Sequence, residues 1–511
     1  MSEHSLKKRY FWKLLSNLIG LVVGFLTISV VPRALGPAAF GDFNFLTTFF
    51  ARTTSFLDMG TSQCFFAKLS QRQADRGIVS FYLRISLIIL VAITAFVTIA
   101  WALGIAGKLW PDQNMVYVWI AALLAYFMWA SGILWLMGDA YGVTVSAEKM
   151  RMLQKVISGL AIVALFAVGR LNLASYFSYQ LVITLVLIGV FLYALRRVAP
   201  FRGVSLKIDA SSKKSYIREF SQYSHPLVTY YIVVVFLAEI GDRWILQRYG
   251  GNVQQGFFGF SSQLSSISLL FTVAMVPLLM REFSIAHGMG DLEKMAALFR
   301  RYIPMLYAIS AFFACFIAVQ ADKVVVLMGG EKYKGAVVAV AVMAFFSMLQ
   351  TYGQLSGQVF FATGKTSLYR NIGILFGVLG LPVTYFMVAP VSSYGLAAGA
   401  TGLALKTIII TFLAVNVQLW FNARMLSMPF WKLLFHQLGT AVIFTTIALM
   451  ISKSMDMVIS SMFVSFLVSG MLYTVASIGV LLIVPSVFSV TRGELLTNIN
   501  KFGQYMKQCL A

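Results

Sequence analysis

The chain has 511 residues, of which 59% are hydrophobic and only 11% charged, with three cysteines and a formal net charge of +22. A soluble domain carries about 25% charged residues, and so large an apolar surface in water drives association. The composition therefore excludes a soluble fold and calls for a bilayer as solvent.

A bilayer admits only helices or closed barrels, because every backbone polar group must be satisfied internally. Barrel strands are short and alternate in polarity; the runs here are long, continuous and rich in Leu, Ile, Val and Phe. The pattern predicts an all-α polytopic protein with fourteen membrane helices. In chain order they cover residues 11–31, 43–66, 78–103, 115–137, 153–168, 173–195, 223–240, 257–280, 302–319, 336–361, 372–388, 395–417, 433–451 and 458–484. The first follows Lys7, Lys8 and Arg9 like a signal peptide. Its apolar run is longer than the 7–15 residues of such a peptide, so a retained helix is expected.

Basic residues set the orientation. With the N-terminus in the cytoplasm, 28 of the 40 Lys and Arg fall on cytoplasmic segments and nine on the other side. That bias satisfies the positive-inside rule and predicts a multi-pass cytoplasmic membrane protein with both termini inside. The net charge is then membrane-surface charge, and no nucleic-acid partner is expected, since no soluble basic domain exists to bind one. Cys64, Cys315 and Cys509 lie far apart and suggest neither a disulfide framework nor a metal site. After the last helix, Leu495, Ile499, Phe502, Met506 and Leu510 form one helical stripe, suited to the membrane surface or to a neighbouring loop.

An internal repeat organises the chain. Arg33-x-x-Gly36-x-x-x-x-Gly41-x-Phe43-x-Phe45 recurs as Arg248-x-x-Gly251-x-x-x-x-Gly256-x-Phe258-x-Phe260, offset by 215 residues without a gap. Both copies fall between the first and second helix of a six-helix block, and Lys149 and Lys365 both follow the fourth. Six crossings return the chain to the same side, so the blocks are parallel repeats about an axis along the membrane normal. The expected domains are a lobe over residues 1–210, a second over 211–421, and helices 13 and 14 with a tail over 422–511.

The segment Arg33-Ala34-Leu35-Gly36-Pro37-Ala38-Ala39-Phe40-Gly41 resembles the R-x-LG-P-x-x-[YF]-G segment of the polysaccharide flippases of the Wzx type. These belong to the multidrug/oligosaccharidyl-lipid/polysaccharide exporter superfamily. Leu57-Asp58-Met59-Gly60 and Ala362-Thr363-Gly364-Lys365 are similar to its D-[LF]-G and A-x-G-[KR] turns. The resemblance implies two lobes around a central cavity and alternating access that flips a polyprenyl-diphosphate-linked oligosaccharide for surface polysaccharide (O-antigen) assembly. It implies membrane lipids and polysaccharide polymerase machinery as partners, a proton or sodium ion where transport is ion-driven, and a groove for the polyprenyl tail beside helices 13 and 14. Two alternatives stand beside it, a multidrug or small-cation antiporter of the same fold and a membrane glycan polymerase or ligase. Short outer loops disfavour the enzyme. Gly364-Lys365-Thr366 is not a P-loop, because Val359 stands where that motif needs its first glycine. No cofactor is expected.

Charges inside the bilayer are the candidate site, since each costs roughly 2.5–3.5 kcal/mol at the centre and needs a cavity or a partner. Arg52, Lys406 and Arg84 are the substrate-binding candidates, Asp58 and Glu239 the ion-coupling ones. Arg52 lies roughly 13 Å from the outer end of helix 2, at 1.5 Å per residue. Arg52 and Asp58 point in different directions, so their partners come from other helices or from substrate. Arg84 is placed to snorkel to the inner surface, and Glu239 stands four residues before Arg243, the favourable order for a helical ion pair. Asp139 reads as a solvated loop residue and His225, before Pro226, as structural. Reporters fused after Gln113, Val391 and Ser454 should read outside, and those after Gln73, Lys213 and Ala511 inside; reversal at any two sites would refute this topology.

Overall fold

The structure, a computed structural model of the chain, describes residues 6–196, 210–488 and 493. The tail stripe, Cys509 and the linker over 197–209 lie outside the described residues, and within them every regular element is helical. Helix starts follow from capping side chains. Asp75 accepts from the amides of Gly77 and Ile78, Asn114 from Val116 and Asp291 from Lys294, while Asn172 and Ser175 form a reciprocal capping box.

The elements are α1 (Leu6–Asp58), α2 (Thr61–Gln71), α3 (Arg76–Ala102), α4 (Ala106–Leu109), α5 (Met115–Ala140), α6 (Thr144–Ala167), α7 (Leu173–Leu195), α8 (Ala210–Ser224) and α9 (Val228–Tyr230). A π-helical stretch, Tyr231–Ile240, leads into α10 (Gly241–Ser266). There follow α11 (Leu270–Gly288), α12 (Leu292–Val319), α13 (Ala321–Gly329), α14 (Val337–Ala362), α15 (Thr366–Val388), α16 (Gly399–Met425), α17 (Phe430–Val458) and α18 (Met462–Ile483). Among the described residues, eleven helices are long and apolar enough to cross a membrane, or twelve with the bent pair Lys213–Ser224 and Val228–Leu269 as one span. The expected fourteen differs because α1 and the run Val228–Leu269 each carry two expected crossings, the helix continuing through a single broken residue in α1 and in α10.

That residue is Gly36 in α1 (φ 74°, ψ 171°) and Gly251 in α10 (φ 70°, ψ −172°), the same position of the two repeats. Only glycine takes this conformation without strain. The breaks bring the two copies of the repeat together. A Cβ built on Gly41 would lie 1.8 Å from the carbonyl oxygen of Asn252, and one on Gly256 would lie 2.0 Å from that of Pro37. Since Asn252 and Gly256 are the repeat counterparts of Pro37 and Gly41, the contact is reciprocal. Counterparts also meet directly, the buried Asn44 side chain lying where Gly259 leaves room for it. Reciprocal contacts of this kind mark a local two-fold axis.

The chain divides into two compact units. One runs through Gly259 and takes in Gly377–Ala400; the other comprises Phe260–Phe376 and the chain from Thr401. In the first, Trp110 in the loop after α4 is almost fully buried against Phe49, Phe50 and Phe96. It holds a loop whose backbone carbonyls at Lys108 and Pro111 accept from Trp244 and Gln247 at 3.0 Å each. Gln113 completes the tie, donating to Asp42 (2.8 Å) and to Asn252 (3.2 Å). These bonds bind the first half of α10 to the loop after α4 and, through Gln113 and Asp42, to α1. Residues 377–400 join the same unit through Thr384, which donates to Asp242 (2.6 Å), and through the Ala400 amide, which donates to Gln254 (2.9 Å). On α8, Tyr216 donates to Asp75 and Glu219 accepts from Arg72 (2.6 Å) beside Lys68 (3.4 Å). The Glu219 bond raises the Arg72 guanidinium above its usual pKa.

In the second unit α12, α14, α17 and α18 share one core that includes Phe299, Tyr307, Tyr352, Phe444 and Tyr473. The last two spans are tied into it by Tyr473, whose hydroxyl donates to the Phe312 carbonyl (2.9 Å), and by buried Lys323, which pairs with Asp456 and donates to Ser465.

A methyl group at Gly41 or Gly256 meets backbone, which cannot rotate aside. Gly41→Ala and Gly256→Ala should each destabilise the chain by at least the roughly 1–3 kcal/mol typical of overpacking, by similar amounts because the positions are equivalent. Gly107→Ala, with nothing within 4 Å, is the control. Thermal unfolding in detergent checks this; an unshifted midpoint for Gly41→Ala would contradict the contact.

Candidate functional site

The π-helical stretch and the second arm of α1 run antiparallel, and two of the candidate charges, Arg52 and Glu239, meet along their seam. Arg52 Nε is 3.0 Å from Glu239 Oε2. One turn on, the Phe56 and Phe236 rings are 5.1 Å apart. At the end of α1, Gly60 (φ 76°) faces Leu227 and Tyr231, and a Cβ there would come within 3.1 Å of Leu227. Position 52 thus faces 239, 56 faces 236, and 60 faces 231.

The Arg52–Glu239 pair joins two sequence-predicted residues that lie 187 positions apart. Its side chains are 47% and 38% exposed, so the pair is worth no more than about 1 kcal/mol to stability. The Arg52 side chain also keeps an exposed edge. A guanidinium with an open edge retains donors for a second oxyanion, and Arg supplies them as a planar fork. Arg243, four residues after Glu239, stacks on Phe258 at 4.5 Å and donates to Gln255 (3.3 Å). Gln255 donates back to the Arg243 carbonyl. Arg243 thereby closes the turn around Gly251.

Asp58 has a different setting. It is 6% exposed and accepts four hydrogen bonds. Thr61 Oγ1 (2.8 Å), the Ser62 amide (3.0 Å) and Tyr82 OH (3.2 Å) donate to Oδ1, and Ser62 Oγ (2.7 Å) to Oδ2. Met59 and Gly60 both take positive φ, so the chain turns sharply here and the carboxylate caps the start of α2. The Thr-Ser pair three residues on was a legible sign of this cap; Tyr82, 24 residues away, carried none.

Arg84 is half-buried on α3, beside the exposed Leu83 and Leu87, with no charged partner among the described residues. Lys406 is buried on α16 in the second unit and is not a free charge. The structure therefore brings Arg52 and Glu239 together, gives Asp58 its own cluster of donors, and leaves Arg84 separate. Among the described residues no cluster of His, Cys, Asp and Glu fits a metal ion.

The family described as "Polysaccharide biosynthesis protein" matches residues 6–281, more than half the chain. No curated protein sequence matches. Among solved structures, the lipid II flippase MurJ in an inward closed conformation aligns with a TM-score of 0.64 at 12% identity, covering 92% of this chain and 98% of that one. An inward-facing multidrug resistance MATE family transporter of the MOP superfamily aligns at 0.57 and 18%, covering 81% and 94%. A MOP superfamily transporter from Pyrococcus furiosus aligns at 0.54 and 16%, covering 82% and 95%. At these identities the likeness is one of fold.

The cap assigns Asp58 a measurable structural role. Asp58→Ala removes the acceptor of four bonds and should cost about 0.5–2 kcal/mol as a lost cap, with more where buried donors stay unpaired. Asp58→Asn should lose less, since the amide oxygen still accepts. Equal unfolding midpoints for wild type and Asp58→Ala would remove the cap from the account.

Proposed function

We propose that this chain, which belongs to the polysaccharide biosynthesis protein family, flips a polyprenyl-diphosphate-linked oligosaccharide across the cytoplasmic membrane by alternating access, with both termini inside. The observation that carries the reading is the combination of a polysaccharide-synthesis sequence with a helical membrane fold like that of transporters and flippases. Transport rather than catalysis fits the short outer loops.

The diphosphate needs positive charge that is reachable and only lightly committed. Arg52 meets both conditions: it sits within the α1 span, half exposed, and its partner is a part-exposed carboxylate. In this reading Glu239 screens Arg52 in the empty protein, and a phosphate oxygen takes over the guanidinium when cargo enters. Glu239, released, becomes the carboxylate able to take a coupling proton or sodium ion. Asp58, held by four donors, keeps the α1–α2 turn in shape. Lys406 and Arg84 remain proposed cationic contacts in their own helices, and an oligosaccharide polymerase is the proposed recipient of the flipped product.

Reconstituted flipping of a defined lipid-linked glycan tests this. Arg52→Gln should lose most flipping at normal folded yield, since a charge-assisted bond is worth about 1.5–3 kcal/mol, and Arg52→Lys should keep part of it. The double variant Arg52→Gln/Glu239→Gln should fold and stay inactive. Normal flipping in well-folded Arg52→Glu would overturn the role. Recovery of flipping in the double variant would show that the pair acts through packing alone.

A further inference from the structure

Within the first unit, α1 and α6 line an apolar groove of about 430 Å³. Ile19, Val22 and Leu26 line it from α1, and Val156, Leu160 and Val163 from α6. The helices come close because Gly159 has no side chain to hold Val23 away; a Cβ there would lie 3.3 Å from it. Val22 and Leu160 are each more than 60% exposed, so the groove is open along its length to the hydrocarbon.

One end of this groove is basic. Lys149 Nζ lies 4.6 Å from the Trp12 ring centroid, bridging α6 to α1. Lys155 Nζ donates to the Ser16 carbonyl (2.7 Å), a second bridge. Arg151 stacks on Trp135 at 5.6 Å and lies 3.7 Å from Glu148. Glu148 is itself buried and takes the Trp135 indole N–H at 2.9 Å, so the charge this end presents outward is positive. At 3.6 residues per turn, Lys149 lies within about 20° of both Val156 and Leu160 on the helix wheel, and roughly 10 Å from Val156 along the axis. Trp12 stands in the same register to Ile19 on α1. The cation and the indole therefore cap the mouth of the groove on the stripe that lines it.

We propose that this groove binds an anionic phospholipid, with an acyl chain along α1 and α6 and the headgroup phosphate at Lys149. An apolar slot with an exposed cation two turns beyond its end matches an amphiphile that carries its charge at the end of its chain. The net positive charge selects an anionic headgroup over a zwitterionic one, and the indole suits the interfacial depth at which the two parts of such a lipid join. Lys365, the repeat counterpart of Lys149, is exposed and has no aromatic or acidic partner among the described residues, so the second copy of the repeat offers no such mouth.

Native mass spectrometry of the full chain, with phosphatidylglycerol and phosphatidylcholine of matched chains, tests the proposal. Phosphatidylglycerol adducts should dominate. Lys149→Gln should lower them about fivefold, the factor for one basic residue near an anionic headgroup. Lys149→Arg and Lys365→Gln should leave them unchanged, and Val156→Phe, which fills the slot, should reduce both lipids. Unchanged phosphatidylglycerol binding in Lys149→Gln, an equal loss in Lys365→Gln, or preferential retention of a polyprenyl phosphate over phosphatidylglycerol would each overturn the site.

Discussion

Two glycines, each lying against the other segment's backbone carbonyl, hold the first unit together. Gly41 lies against Asn252, and Gly256 against Pro37. Hydrogen at the α-carbon is the only substituent that fits at either crossing. Because the segments are repeat counterparts, one local geometry solves the packing twice. The preceding glycines, Gly36 and Gly251, supply the sharp break that aims each second arm at its counterpart. In a membrane, where lipid is as apolar as the helices, such close approach through small residues is the main source of helix association.

Around that crossing side-chain amides carry most of the polar contacts. Gln113 reaches both Asp42 and Asn252, Gln247 bonds to Asn252 and to the Pro111 carbonyl, and Arg243 and Gln255 bond to each other. A side-chain amide makes such a network without a net charge. Charges are kept for fewer places and split into two kinds. Asp58 and Lys323 are buried and held by several partners, which fixes a turn in one case and the last two spans in the other. Arg52 and Glu239 pair with one another while remaining part-exposed. The second arrangement contributes little to stability, which leaves its charge available for chemistry.

Helix periodicity, hydropathy and the 215-residue repeat are one-dimensional signals, and they were legible. A run of about 20 apolar residues has one use in a bilayer, and a Gly-x-x-x-x-Gly spacing repeated in register marks a shared backbone geometry. The cap at Asp58 was half legible, through Thr61 and Ser62. What only the tertiary structure decided is which distant groups meet. Glu239 has a basic neighbour one turn away in Arg243, yet it lies against Arg52, because the π-helical stretch packs antiparallel on α1. Residues 377–400 join the first unit, and α17 and α18 share a core with α12, through contacts such as Thr384–Asp242 and Tyr473–Phe312, 142 and 161 residues apart. Spacing along a chain fixes which face of a helix a side chain occupies. It carries no information on which other helix comes to lie against that face, and that choice made the pair at the candidate site.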